Sequence, residues 1–184
     1  PINIVEERTV GPDLGKDSID AGVFSLIVGF ILVILFMLIK YRIFGLISNI
    51  SLIANLLMIV GILTILEATL TLPGIAGIIL TVGMAVDSNV LIYERIREEL
   101  KTEKSIIHAF DTGYNKAKIT VIDANVTTLI AAIILFIFGS GPVKGFAVTL
   151  GIGIVTTLFS AYFIARHLTS VIVLSDKKGK YFKL

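Results

Sequence analysis

Five stretches without a single charged side chain constrain this chain more than any other feature: Ala21 to Ile39, Ile43 to Leu66, Ala68 to Val86, Ala124 to Val143 and Gly145 to Ala165. Each is close to the ~20 apolar residues that a helix needs to cross about 30 Å of hydrocarbon. A soluble helical bundle would give each helix a polar face, and these five show almost none. The mean hydropathy of +0.95 agrees with lipid as the solvent. The expected fold is an all-α membrane protein with transmembrane helices at about 21–41, 43–67, 73–94, 118–139 and 142–167, all within a membrane domain spanning 21–170.

Charge distribution orients this set. Lys40 and Arg42 lie between the first two helices, six basic residues lie between the third and fourth, and five follow the fifth. Only Arg8, Lys16 and Lys144 fall on the other side. Basic loops stay in the cytoplasm, so segment 1–20 and the Gly139–Lys144 turn are expected outside and the tail 171–184 inside. Segment 98–117 carries Leu100, Ile107, Phe110 and Tyr114 at helical spacing among polar residues. It reads as an amphipathic cytoplasmic helix along the membrane surface or as a docking surface for a partner. The chain opens on Pro1 with a polar run, which suggests a fragment of something longer. With no cysteine, disulfides and thiolate chemistry are excluded, and His108 and His167 are too far apart to suggest a metal site. No metal, cofactor or nucleic-acid partner is expected.

Two acids carry the chemistry. Asp87 lies fourteen residues after Pro73 and seven before Glu94, about 10 Å below the cytoplasmic end of its helix at ~1.5 Å per residue. Asp123 lies five residues after Lys118 on the next, antiparallel helix, about 7 to 8 Å in by the same rise, so the two could share one polar cluster. A charged Asp at mid-helix costs about 2.5 to 3.5 kcal/mol on insertion scales and has to be neutralised, paired or hydrated. No Lys, Arg or His of this chain lies at that depth. An acid whose protonation depends on which side admits water suits a proton relay; a permanently protonated interhelix donor is the plainer alternative.

The two acids sit in similar surroundings, Val86-Asp87-Ser88-Asn89-Val90 and Ile122-Asp123-Ala124-Asn125-Val126. Asn89 and Asn125 are expected as bonds between helices. Thr127 and Thr128 can bond across helices or return to their own backbone. Small residues mark the faces where helices approach: Gly77, Thr81, Ala85 and Asn89 on the third, with Gly83 nearby, and Thr149, Gly153, Thr157, Ala161 and Ala165 on the fifth.

The run from Leu72 to Glu99, centred on Gly83-Met84-Ala85-Val86-Asp87-Ser88-Asn89-Val90, resembles the SecD family of Sec translocon subunits. So do Ile4 to Pro12, Tyr41 to Leu46, Ile122 to Thr128 and Gly139 to Ala147. The resemblance implies a transporter of the resistance-nodulation-division type with a six-helix bundle, of which this chain holds the second to sixth helices. The first helix and a large extracytoplasmic domain are missing. It further implies a bacterial inner-membrane location among membrane lipids, partnership with SecF and the SecYEG channel, an exported preprotein, and protons as the driving ion, with Asp87 on the relay position. Ser88 departs from the family's usual alanine. Without the extracytoplasmic domain, this chain alone is not expected to carry out export.

Three other readings follow from the residues. Paired aspartates on adjacent membrane helices suit an intramembrane aspartyl protease, but such enzymes place Gly two residues before the Asp, where this chain has Ala85. A scaffold for partner helices and a proton-driven exporter of lipids or small molecules are the others.

Overall fold

The computed structural model describes residues 12–102 and 105–175, and these are helical almost throughout. The elements are α1 (Pro12–Ile65), α2 (Leu72–Thr102), α3 (Ile106–Phe138), α4 (Pro142–Phe159), a π-helical turn (Ser160–Ala165) and α5 (Arg166–Ser175). Four helices are long and apolar enough to cross a membrane: Lys16–Ile65, Leu72–Thr102, Ile106–Phe138 and Pro142–Ser175, the last running through the π turn. Of the outer segment 1–20, residues from 12 onward already belong to α1. Residues 1–11, and the tail beyond 175, lie outside the described residues.

α1 is not one straight rod. At 54 residues it would extend about 80 Å at 1.5 Å per residue, more than twice the hydrocarbon thickness. Arg42 interrupts it with φ 51° and ψ −114°, and the chain doubles back. Asn49 Nδ2 donates to the Ile34 carbonyl at 3.2 Å across the reversal. A side chain at Gly45 would overlap the Met37 carbonyl, so the reversal needs glycine there. The second arm, 43–65, ends in a Schellman turn: Glu67 has φ 49°, with Glu67 N–H donating to Thr64 O at 3.1 Å and Ala68 N–H to Leu63 O at 3.0 Å.

α2 is the central helix, packed on α1, α3 and α4. On the α4 side, the contact is made by small residues. A Cβ at Gly77 would overlap Thr149 Oγ1, and one at Gly153 would overlap Thr81 Oγ1, so each glycine receives the threonine of the other helix. Thr81, Ala85 and Asn89 of α2, with Thr157, Ala161 and Ala165 of the α4 line, are buried along the same seam. Gly83 does not join it: it faces outward, with no atom within 4 Å of where its Cβ would stand.

Hydrogen bonds donated by buried side chains tie the second arm of α1 to α4 and the π turn. Ser51 Oγ donates to the Ser160 carbonyl at 3.0 Å and Asn55 Nδ2 to Thr157 Oγ1 at 3.1 Å. Such bonds contribute about 0.6 to 1.7 kcal/mol in membrane bundles. Asn55→Ala is therefore expected to lower the unfolding free energy of the full-length protein in mixed micelles by about 1 kcal/mol. An unchanged denaturant midpoint would contradict this placement.

Segment 98–117 is not a separate surface helix. Its first residues complete α2 to Thr102, its last begin α3 at Ile106, and Ser105 caps α3 by accepting from His108 N–H at 3.4 Å. The two helices thus extend as one antiparallel hairpin. Gly113 lets them meet backbone to backbone, since its Cβ would lie 2.7 Å from Ile96 Cα. Lys116 Nζ bonds both oxygens of Glu99 at 2.9 and 3.0 Å, and Arg95 reaches the same carboxylate at 3.1 Å. Beside them, Tyr41 OH donates to Glu94 Oε1 at 2.9 Å. Tyr93 is fully buried with its ring centroid 5.6 Å from Phe44 and 5.9 Å from Tyr41. This basic end of the bundle holds the larger apolar core, and a smaller cluster of Ala132, Leu150 and Ile154 lies toward the other end.

Candidate functional site

Asp87 stands between two residues of the interhelix seam, Ala85 and Asn89, yet it does not lie in it. With Ala85, Val86, Ser88 and Asn89 buried, the remaining direction is outward. Asp87 is exposed on a face shared with Leu80, Gly83 and Leu91. That face overlooks a groove of about 220 Å³ between α2 and α3, where Asp87, Ser88 and Met84 stand across from Ala124, Asn125 and Thr128. The groove brings Asp87 beside Ala124, Asn125 and Thr128 of the antiparallel helix. Among the described residues, no side chain forms an ion pair or hydrogen bond with the Asp87 carboxylate.

Asp123 is placed differently from Asp87. It is exposed on α3 but does not line the groove. At about 100° per residue, it is turned well away from Ala124 and Asn125, which do line it. Asp123 therefore does not share the groove that Asp87 lines.

The asparagines do not bond between helices either. Asn89 Nδ2 donates to its own helix at Ala85 O, 3.3 Å, and Asn125 Nδ2 to Val121 O, 2.8 Å. Each is buried with its Oδ1 unpartnered. Thr127 and Thr128 return to Asp123 O and Ala124 O at 2.9 and 3.0 Å. A polar side chain on a helix can bond the carbonyl four residues before it, and here that local option prevails. The fully buried bonds between helices come instead from Ser51 and Asn55, whose four-residue spacing inside an apolar run was the available signal. Among the described residues, no cluster of His, Cys, Asp and Glu could hold a metal.

Asp87 thus stands outward midway along an apolar helix, without a polar partner among the described residues, and relatives show what such chains belong to. Residues 1–175 match the family model for the protein export membrane protein SecD/SecF, C-terminal. The chain is 53% identical over 173 residues to the protein translocase subunit SecD of Magnetococcus marinus, covering 94% of this chain and 33% of that protein. With SecD of Rickettsia prowazekii the identity is 54% over 183 residues, covering 100% of this chain and 34% of the relative. The chain therefore spans about a third of the length of its curated relatives.

A crystal structure of SecDF from Thermus thermophilus, described as a translocon-associated membrane protein, superposes with a TM-score of 0.87 at 42% identity. It covers 91% of this chain and 24% of that one. SecDF in a super-membrane-facing form superposes with a TM-score of 0.83 at 41% identity, covering 94% of this chain and 24% of the other. Sequence match along nearly the whole chain and agreement of the helical fold lead to one assignment: the chain belongs to the SecD/SecF C-terminal family of protein export membrane proteins.

Proposed function

We propose that this chain is the membrane-embedded part of a SecD-type subunit and that Asp87 takes up and releases protons there, coupling the proton motive force to export of unfolded proteins with SecF and SecYEG. The two arms of α1, α2, α3 and the α4–α5 rod make five crossings, with the basic ends in the cytoplasm of a bacterial inner membrane. This is five helices of the six-helix bundle found in resistance-nodulation-division transporters. The observation that carries the reading is the position of Asp87: exposed, unpaired and groove-lining on an otherwise apolar helix face. An acid in that position has a charged form that lipid does not tolerate, so it has to meet water, a proton or a partner's cation. A membrane potential acts on each charge carried across with about 2.3 kcal/mol per 100 mV.

Asp123, on a different face of α3, is the lesser candidate for the relay. Its exposure toward Ile119 and Ile130, both more than half exposed, suits a second contact with the rest of the machine.

Dicyclohexylcarbodiimide, which reacts with protonated carboxyl groups in apolar surroundings, tests the relay directly. In the full-length subunit assembled with its partner, labelling at Asp87 is expected to fall as pH rises, and Asp87→Asn removes it. Labelling that does not change with pH would count against a titrating relay at this position.

A further inference from the structure

A second groove, of about 390 Å³, lies on the other side of α3, between that helix and the α4–π-turn rod. Its walls are largely apolar, formed by Ile122 from α3 and by Leu158, Phe159, Tyr162 and Phe163 from the rod, and its rim at the basic end carries Lys118 and Arg166. The two phenylalanine rings stack with centroids 4.9 Å apart and planes 20° from parallel, a flat wall left 46% and 65% exposed.

Charge is arranged along the groove rather than scattered. Lys116, two residues before Lys118, is turned onto Glu99, whereas Lys118 is exposed and pairs with no described residue. Arg166 lies over the Tyr114 ring at 5.5 Å and reaches Asp111 only at 3.8 Å. Lys118, Arg166 and Asp111 together leave one net positive charge at the rim. Below it the apolar wall continues for seven residues from Arg166 to Phe159, about 10 Å at 1.5 Å per residue.

A cationic rim above an apolar slot matches a molecule with one negative charge at its head and hydrocarbon beneath it. We infer that this groove holds an anionic phospholipid, its phosphate between Lys118 and Arg166 and an acyl chain along the Phe159–Phe163 wall. Basic pockets between membrane helices at the headgroup level are suited to such heads, and each cation near the surface favours an anionic lipid by roughly fivefold in affinity. The site is separate from the Asp87 groove and does not depend on proton carriage.

The test uses the full-length subunit with its partner, purified in detergent and offered phosphatidylglycerol or phosphatidylcholine, with retained lipid counted by native mass spectrometry. The parent is expected to prefer phosphatidylglycerol, Lys118→Gln to retain about fivefold less of it, and Lys118→Gln with Arg166→Gln to lose the preference. Lys118→Gln alone remains informative if loss of the Arg166–Asp111 pair unfolds the double variant. A photoreactive phenylalanine at Phe163 should crosslink to lipid. Equal retention of the two lipids by the parent, unchanged retention by Lys118→Gln, or crosslinks from position 163 to protein instead of lipid would each overturn the assignment. So would loss of the preference on adding millimolar inorganic phosphate, because a site for free phosphate has no use for the apolar wall.

Discussion

Asp87→Asn is expected to abolish the extra preprotein translocation that a proton gradient produces in inverted membrane vesicles, while leaving the complex assembled and its gradient-independent translocation unchanged. Asparagine keeps the size and polarity of the side chain and removes only its ability to ionise. Because Asp87 is exposed and pairs with no described residue, the substitution breaks no hydrogen bond or ion pair among the described residues. Its effect on stability should stay within about 0.5 kcal/mol, as for other surface changes away from special features. Full retention of the gradient-dependent increment would remove Asp87 from the relay. Loss of assembly would show instead that the acid is a structural contact to a partner helix. Asp123→Asn provides the internal comparison, with a smaller effect expected because that residue stands outside the groove.

The second large effect concerns how closely the helices approach. At Gly153 an added Cβ meets the hydroxyl of Thr81, a side chain, whereas at Gly113 it meets the backbone and Cγ1 of Ile96 between 2.7 and 2.9 Å. Overpacking typically costs 1 to 3 kcal/mol. Gly153→Ala should fall within about that range and should be relieved in part by adding Thr81→Ala, which removes Oγ1 and Cγ2 of Thr81 but leaves its Cβ 2.9 Å away. Gly113→Ala should be the more damaging of the two, and no truncation of Ile96 can relieve it fully because the Cα itself is in contact. Denaturant unfolding of the full-length protein in micelles measures both. A Gly153→Ala variant that gains nothing from Thr81→Ala would contradict the reciprocal packing, and a Gly113→Ala variant as stable as the parent would contradict the close crossing of α2 and α3.

The apolar runs were readable because a helix in lipid has to carry its whole requirement for burial in consecutive residues, and that leaves an unbroken signal. Gly77 and Gly153 were readable for a similar reason, since small residues at four-residue spacing make a stripe whose only economical place is against another helix. What could not be read was rotation. Asp87 and Asp123 sit in matching local sequences, but a shared motif does not say which way each helix is turned, and α3 directs its acid away from the groove. Gly83 failed in the same way: four residues before Asp87, it shares the outward face of that acid. The hairpin at 98–117 was missed because Leu100, Ile107, Phe110 and Tyr114 keep helical spacing even though the first belongs to one helix and the others to the next. The reversal that parts them is marked only by the capping Ser105. Asn89 and Asn125 drew attention as neighbours of acids, while the polar pair that does bond across helices, Ser51 and Asn55, sat in a run that looked merely hydrophobic.

The π turn at Ser160–Ala165 acts as a phase corrector for the whole final rod. Thr149, Gly153, Thr157, Ala161, Ala165, Thr169 and Val173 are all buried although they recur every four residues, a spacing that in an ordinary α-helix would carry the line around the rod by about 40° at each step. The wider turn takes up one extra residue and winds the line part of the way back, so that α4 packs on α2 while α5 buries Thr169 and Val173 where it packs on α3 and α1. Removing a single residue within 160–165 would therefore leave both helices intact but out of phase by roughly 100°, and Thr169 and Val173 would be turned out of the packing of α5 on α3 and α1.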